Sequence, residues 1–117
     1  MIGPTDRCLI VEENFLIRQD LADMLQSLGV QNVDEAATIA QAMALIATVK
    51  YRVVFLYIIH VDEGSLTVAG ELKRQNVPIV ITSGYLDAGE LPAAMKEARV
   101  ISKPYRFEVI QTILQGL

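Results

Sequence analysis

Val53-Val54-Phe55-Leu56-Tyr57-Ile58-Ile59-His60-Val61 is the longest apolar run in the chain, and its reading decides the fold. The run does not alternate apolar with polar residues. Continuous runs of this kind suit strands buried on both faces, as in a parallel sheet. Three further runs share the character: Cys8-Leu9-Ile10-Val11, stopped by Glu12-Glu13; Val77 to Ile81, with Pro78 at its entry; and the weaker Val100-Ile101.

Helical patterns lie between these runs. From Asn14 to Leu28, residues Phe15, Leu16, Leu21, Met24, Leu25 and Leu28 fall at spacings of three and four, with Gly29 as the stop. Thr38 followed by Gln41 matches a capping box and opens a second helix through about Ala47. A third, carrying Val68, Ala69 and Leu72, is expected to be capped by Ser65 or Thr67. A fourth is expected within Ala88 to Ala98, with Pro92 near its first turn, and the last spans roughly Arg106 to Leu114. A further strand belongs near Val30 to Ala36, where VQNVDEA is a weak signal. Strand and helix thus alternate five times, which predicts a doubly wound α/β fold with an open parallel sheet. Its working site belongs at the carboxyl ends of the strands.

Size and charge narrow the class. One domain over residues 1–117 is expected from the length. Hydrophobic residues make up 52% and charged residues 21%, the mix of a globular protein. Ten basic residues against 14 acidic give a net charge of −4, which argues against a nucleic-acid partner. No segment reaches the roughly 20 apolar residues of a membrane span. Cys8 is the single cysteine, read as a small buried hydrophobe. The start MIGPTDR lacks the features of a secretion signal, so a cytoplasmic location is the expectation.

The strand ends carry the chemistry. The first ends in Glu12-Glu13, the third near Tyr57, the fourth in Thr82-Ser83-Gly84-Tyr85 and the fifth in Ser102-Lys103-Pro104-Tyr105. Taken in order, these motifs resemble a response-regulator receiver domain over the full length. The resemblance implies a CheY-like, flavodoxin-like (βα)5 fold with strand order 2-1-3-4-5. It implies a bacterial two-component (phosphorelay) signalling role and no enzyme activity of its own. Thr82-Ser83-Gly84-Tyr85 also resembles the Thr-Gly-Tyr variant of some receivers. In that family an acidic pair helps hold Mg²⁺, an aspartate after strand three accepts the phosphoryl group, and a hydroxyl and a lysine bind it. The resemblance assigns Glu12 and Glu13 to the metal acids, Ser83 to the hydroxyl and Lys103 to the lysine.

The acceptor position falls on Tyr57. A phenol with a reference pKa of about 10 is neutral at pH 7, a poor ligand and no carboxylate nucleophile. Asp62 is the only nearby acid that might replace it, but it lies five residues on, in a stretch that reads as a loop. A second departure is Val100, where many receivers carry an aromatic. The expectation is therefore a pseudo-receiver without cofactor, its Mg²⁺ site at Glu12 and Glu13 weak or lost. The alternative is a working phosphoacceptor that uses Asp62. Expected partners are a histidine kinase or another regulator, or a second copy through the fourth helix, fifth strand and fifth helix, with Leu91, Ala94, Met95, Val109 and Ile113 in that region. His60, the lone histidine, is read as a rim residue, and Tyr85 and Tyr105 as either core edge or partner surface. A small flavodoxin-like ligand-binding protein is disfavoured, because no Gly-rich phosphate loop follows the first strand.

Overall fold

Four apolar runs become strands because each is sheltered on both faces. The computed structural model describes residues 2–58, 61–83, 91–95, 97–101 and 105–117, the side chain of Ala94 excepted. Its elements run β1 (Arg7–Val11), α1 (Phe15–Ser27), β2 (Asn32–Ala36), α2 (Ile39–Thr48), β3 (Val53–Tyr57), α3 (Glu63–Arg74), β4 (Ile79–Thr82), β5 (Arg99–Ile101) and α4 (Phe107–Gln115). The five strands form one parallel sheet of order β2-β1-β3-β4-β5. Chain order reverses between β1 and β3, which sets their carboxyl ends apart as the crevice of the fold.

Alternate residues of each strand feed two cores. Leu9, Val54, Leu56 and Ile81 pack with Ala42 and Ile46 of α2 and with Val68, Ala69 and Leu72 of α3. Cys8, Ile10, Phe55 and Val80 pack on the other face with Leu21 and Leu25 of α1 and with Ile110, Ile113 and Leu114 of α4. Burial pushes the Cys8 thiol up to about 12, with Asp6 adding to the rise and Arg52 opposing it. The residue is a core hydrophobe in practice. At the amino end of the sheet, the buried Tyr51 donates its phenol to Asp34 at 2.7 Å and joins the entry of β3 to β2.

Local signals explain most boundaries. Asn14 caps α1, accepting from the Ile17 amide at 3.1 Å. Gly29, at φ 95°, turns the chain out of that helix where a side chain would be strained. Thr38 caps α2 by accepting from the Gln41 amide, and Gln41 accepts in return from Ala37 at 2.7 Å. VQNVDEA yields β2 at a sheet edge, where only Ala36 is buried, hence its faint apolar signature.

Two expectations are corrected. The third helix starts earlier than the Ser65 or Thr67 caps would place it. Asp62 is the cap, accepting from the Ser65 amide at 2.8 Å, while the Ser65 hydroxyl accepts from the Asp62 amide at 3.0 Å. Ser65 is the inner half of the capping box. The expected fourth helix is, among the described residues, only a 3-10 turn over Ala93–Met95. A helix opened by Pro92 would have only residues 93–98 before β5 begins, too short a segment to support an α-helix by itself. The turn instead closes with Met95 N–H bonding Pro92 O at 2.9 Å and Ala98 N–H bonding Met95 O at 3.0 Å. Leu91, Met95 and Ile113 are buried within the chain, so these members of the expected dimer face are spent on its own core.

Candidate functional site

The carboxyl edge is assembled by strand register. Val11 pairs with Leu56 and Tyr57 with Thr82, so the residues after β1, the end of β3 and the residue after β4 come to one edge. The ladders run one bond farther. Glu12 N–H bonds Ala36 O, Ile58 N–H bonds Thr82 O, and Ser83 N–H bonds Ile101 O, at 3.0, 3.1 and 3.0 Å.

Each sequence-derived candidate then finds a distinct setting. Glu12 is 3% exposed, and its Oε2 accepts from the Asn14 amide at 3.1 Å. Its backbone carbonyl accepts from Arg18 Nη1 at 2.7 Å, while Arg18 Nε reaches Glu35 at 3.0 Å. One guanidinium thereby fixes the end of β1 against β2. Glu13, next along, is exposed. Tyr57 closes β3 and is half-buried. Ser83 is buried at 1% exposure. Asp62 stands not at a strand end but at the start of α3, with Oδ1 engaged in the cap. Lys103, His60 and Tyr85 lie outside the described residues.

Glu12, Glu13, Tyr57 and Asp62 line one groove of about 390 Å³, together with apolar Val11, Ile39 and Ile58. A larger opening of about 610 Å³ lies at the other end of the sheet, near Pro78 and Arg99. The smaller groove carries the chemistry, because strand carboxyl ends direct functional side chains toward it. Among the described residues, no group of three or more His, Cys, Asp or Glu side chains is gathered to hold a metal ion. Glu12 Oε2 and Asp62 Oδ1 each accept one backbone amide, which leaves each carboxylate a second oxygen beyond that bond.

Tyr105 is 8% exposed and hydrogen-bonds Thr82, itself at 1%. Burial pushes the Tyr105 phenol up to about 12; the Thr82 bond opposes this, and the charges of Glu12, Tyr57 and Asp20 add to it. Tyr105 is thus core edge, and its ring links the end of β4 to the approach to α4. Val100 is half-buried on β5.

A doubly wound parallel sheet of this strand order, with acids and a hydroxyl at its carboxyl edge, is an arrangement that receiver domains share with other flavodoxin-like proteins. The sequence profile of the response regulator receiver domain matches residues 8–115, and the chain belongs to that family. No curated protein sequence matches the chain. Among solved structures, it is similar to a two-component response regulator from Clostridium difficile, at 22% identity and TM-score 0.81, over 96% of this chain and 94% of that one. It is also similar to a CheY-like receiver domain protein from Methanospirillum hungatei, at 20% identity and TM-score 0.79, covering 95% and 91%. The response regulator TrrA from Thermotoga maritima, solved with Mg²⁺-BeF, aligns at 23% identity and TM-score 0.79, covering 96% and 98%. These likenesses establish the CheY-like, flavodoxin-like fold. Among the described residues, no helix is long and apolar enough to cross a membrane.

Proposed function

We propose that this chain is a pseudo-receiver: a signalling module that works by protein–protein binding, without accepting a phosphoryl group. The single observation that carries the reading is Tyr57 as the last residue of β3, in register with Thr82. A neutral phenol supplies neither the nucleophile nor the anionic metal ligand that receiver chemistry uses. The setting of Asp62 supports the same conclusion. Its Oδ1 holds the first turn of α3, and moving it to the phosphoryl position would cost that cap, about 1 kcal/mol. The partner class is a signalling protein, such as a histidine kinase or another regulator. A second copy remains within the proposal, though not through the buried Leu91, Met95 and Ile113.

The test is incubation with a small phosphodonor and Mg²⁺, followed by intact-mass and peptide mass spectrometry. The chain is expected to keep its mass. A phosphoryl group found on Asp62 would overturn the reading in favour of a working acceptor.

A further inference from the structure

We infer that the cleft at the amino end of the sheet binds a small organic carboxylate, one anionic group on an apolar body. The inference goes beyond the binding-module reading above and does not rest on it. The sheet opens at this end because β5 starts late. Its first residue, Arg99, pairs with Val80, so Ile79 has Val54 beside it on β3 and no partner on β5. The opening left there is about 610 Å³, within the roughly 300–1,000 Å³ typical of small-ligand sites. Val77, Ile79 and Ile113 contribute apolar lining, while Lys73 and Asn76 from the end of α3 face the entry of β5 with Glu97 and Arg99.

Charge selects the occupant. Lys73, Asn76 and Arg99 are exposed, and among the described residues their side chains make no hydrogen bond or ion pair. Arg7, Arg18, Arg52 and Arg74, by contrast, are each held by a carboxylate. Arg106, which also has no acid partner among the described residues, stands at the opposite end of the sheet, where α4 begins. Glu97 lines the same cleft and pairs with neither cation. Lys73 and Arg99 against Glu97 leave one net positive charge among the described side chains, which matches a single anionic group and not a polyphosphate. A guanidinium takes both oxygens of a carboxylate, and the Asn76 amide adds two donors. Asn76 sits at φ 59°, and Val77 N–H returns to Leu72 O at 2.9 Å, so the backbone carrying that amide is fixed at the cleft wall. An inorganic ion would leave the apolar lining uncovered, which calls for a ligand with an apolar body.

The experiment titrates the isotope-labelled full chain with naphthoate, and separately with naphthalenemethanol, naphthylmethylammonium and inorganic phosphate, following amide resonances. Naphthoate is expected to shift residues 76–80 and 97–99 saturably and to bind about tenfold tighter than each of the other three. Arg99→Gln and Lys73→Gln should each weaken it about tenfold, the size of one charged hydrogen bond. Glu97→Gln should tighten it, because the change removes a like charge from the cleft. All three side chains are exposed, so the fold is kept, and Arg106→Gln at the far end should leave binding unchanged. The inference fails if the alcohol, the ammonium or phosphate binds as well as naphthoate, if no probe binds, or if the shifts fall elsewhere. It fails too if Arg106→Gln weakens naphthoate as much as Arg99→Gln, or if Glu97→Gln weakens it. Movement of these resonances with protein concentration alone would assign the cleft to a second copy and overturn the proposal.

Discussion

Replacing Tyr57 by Asp should turn a quiet groove into a metal-dependent one. The substitution places a fourth carboxylate among the acids that line it, with the buried Glu12, the exposed Glu13 and the cap residue Asp62. At about 4 Å and an effective dielectric of about 20, each pair of like charges repels by roughly 4 kcal/mol before solvent and side-chain relaxation. Tyr57 is half-buried, so loss of its ring removes about 1–2 kcal/mol of apolar burial besides. The variant should therefore unfold at clearly lower urea than the wild type when metal is chelated. Mg²⁺ should restore part of the loss, because a cation that binds only the folded state stabilises it by RT ln(1 + [L]/Kd), about 2.7 kcal/mol at a hundredfold excess over Kd. Urea unfolding of both proteins with EDTA and with Mg²⁺ is the assay. Two results would refute the reasoning: a variant indifferent to Mg²⁺, which would mean the acids cannot converge, or a wild type that gains as much from the metal as the variant.

Other expectations rest on single contacts. Asp62→Ala removes the capping box of α3 and should cost about 1 kcal/mol in urea unfolding, while Asp62→Asn should cost only a few tenths. Leu72→Ala, at a fully buried site, should cost about 2–5 kcal/mol in the same measurement. Tyr51→Phe leaves the Asp34 carboxylate without its phenol partner and should cost about 1.5–3 kcal/mol, or less where water reaches Asp34. Stability should also fall on the alkaline side. The Cys8 thiol and the Tyr105 phenol are raised in the folded state, so the unfolded chain gives up these protons first. Their contribution is complete below about pH 9 and is lost as pH rises toward about 12. Chemical denaturation across that range checks it; a flat profile, or phenols that all titrate freely near pH 10, would contradict the burial of these groups.

Strands β1, β3 and β4 are readable from residue order alone because burial on both faces leaves no polar alternation to confuse them. β2 is harder for the converse reason: an edge strand with Asp34 and Glu35 carries only half the pattern. The 3-10 turn at Ala93–Met95 shows a limit of composition, since Pro92 and the alanines favour a helix while the nearness of β5 forbids it. Tyr57 at the close of β3 and Glu12 at the close of β1 follow from counting residues to the strand ends. The Thr82–Tyr105 bond does not, because it joins residues 23 positions apart (105 − 82) through the packing of a loop against a strand. The role of Asp62 is divided: its distance from the strand end is plain in the sequence, but its service as a cap emerges only with the Ser65 geometry.

Arg18 stacks its guanidinium over the Phe15 ring at 5.5 Å while its edges grip the Glu12 carbonyl and Glu35. The outermost aromatic of α1 and the innermost acid of the crevice therefore share one tether. Arg18→Ala would therefore strip cover from the Phe15 ring and free the Glu12 carbonyl in a single change.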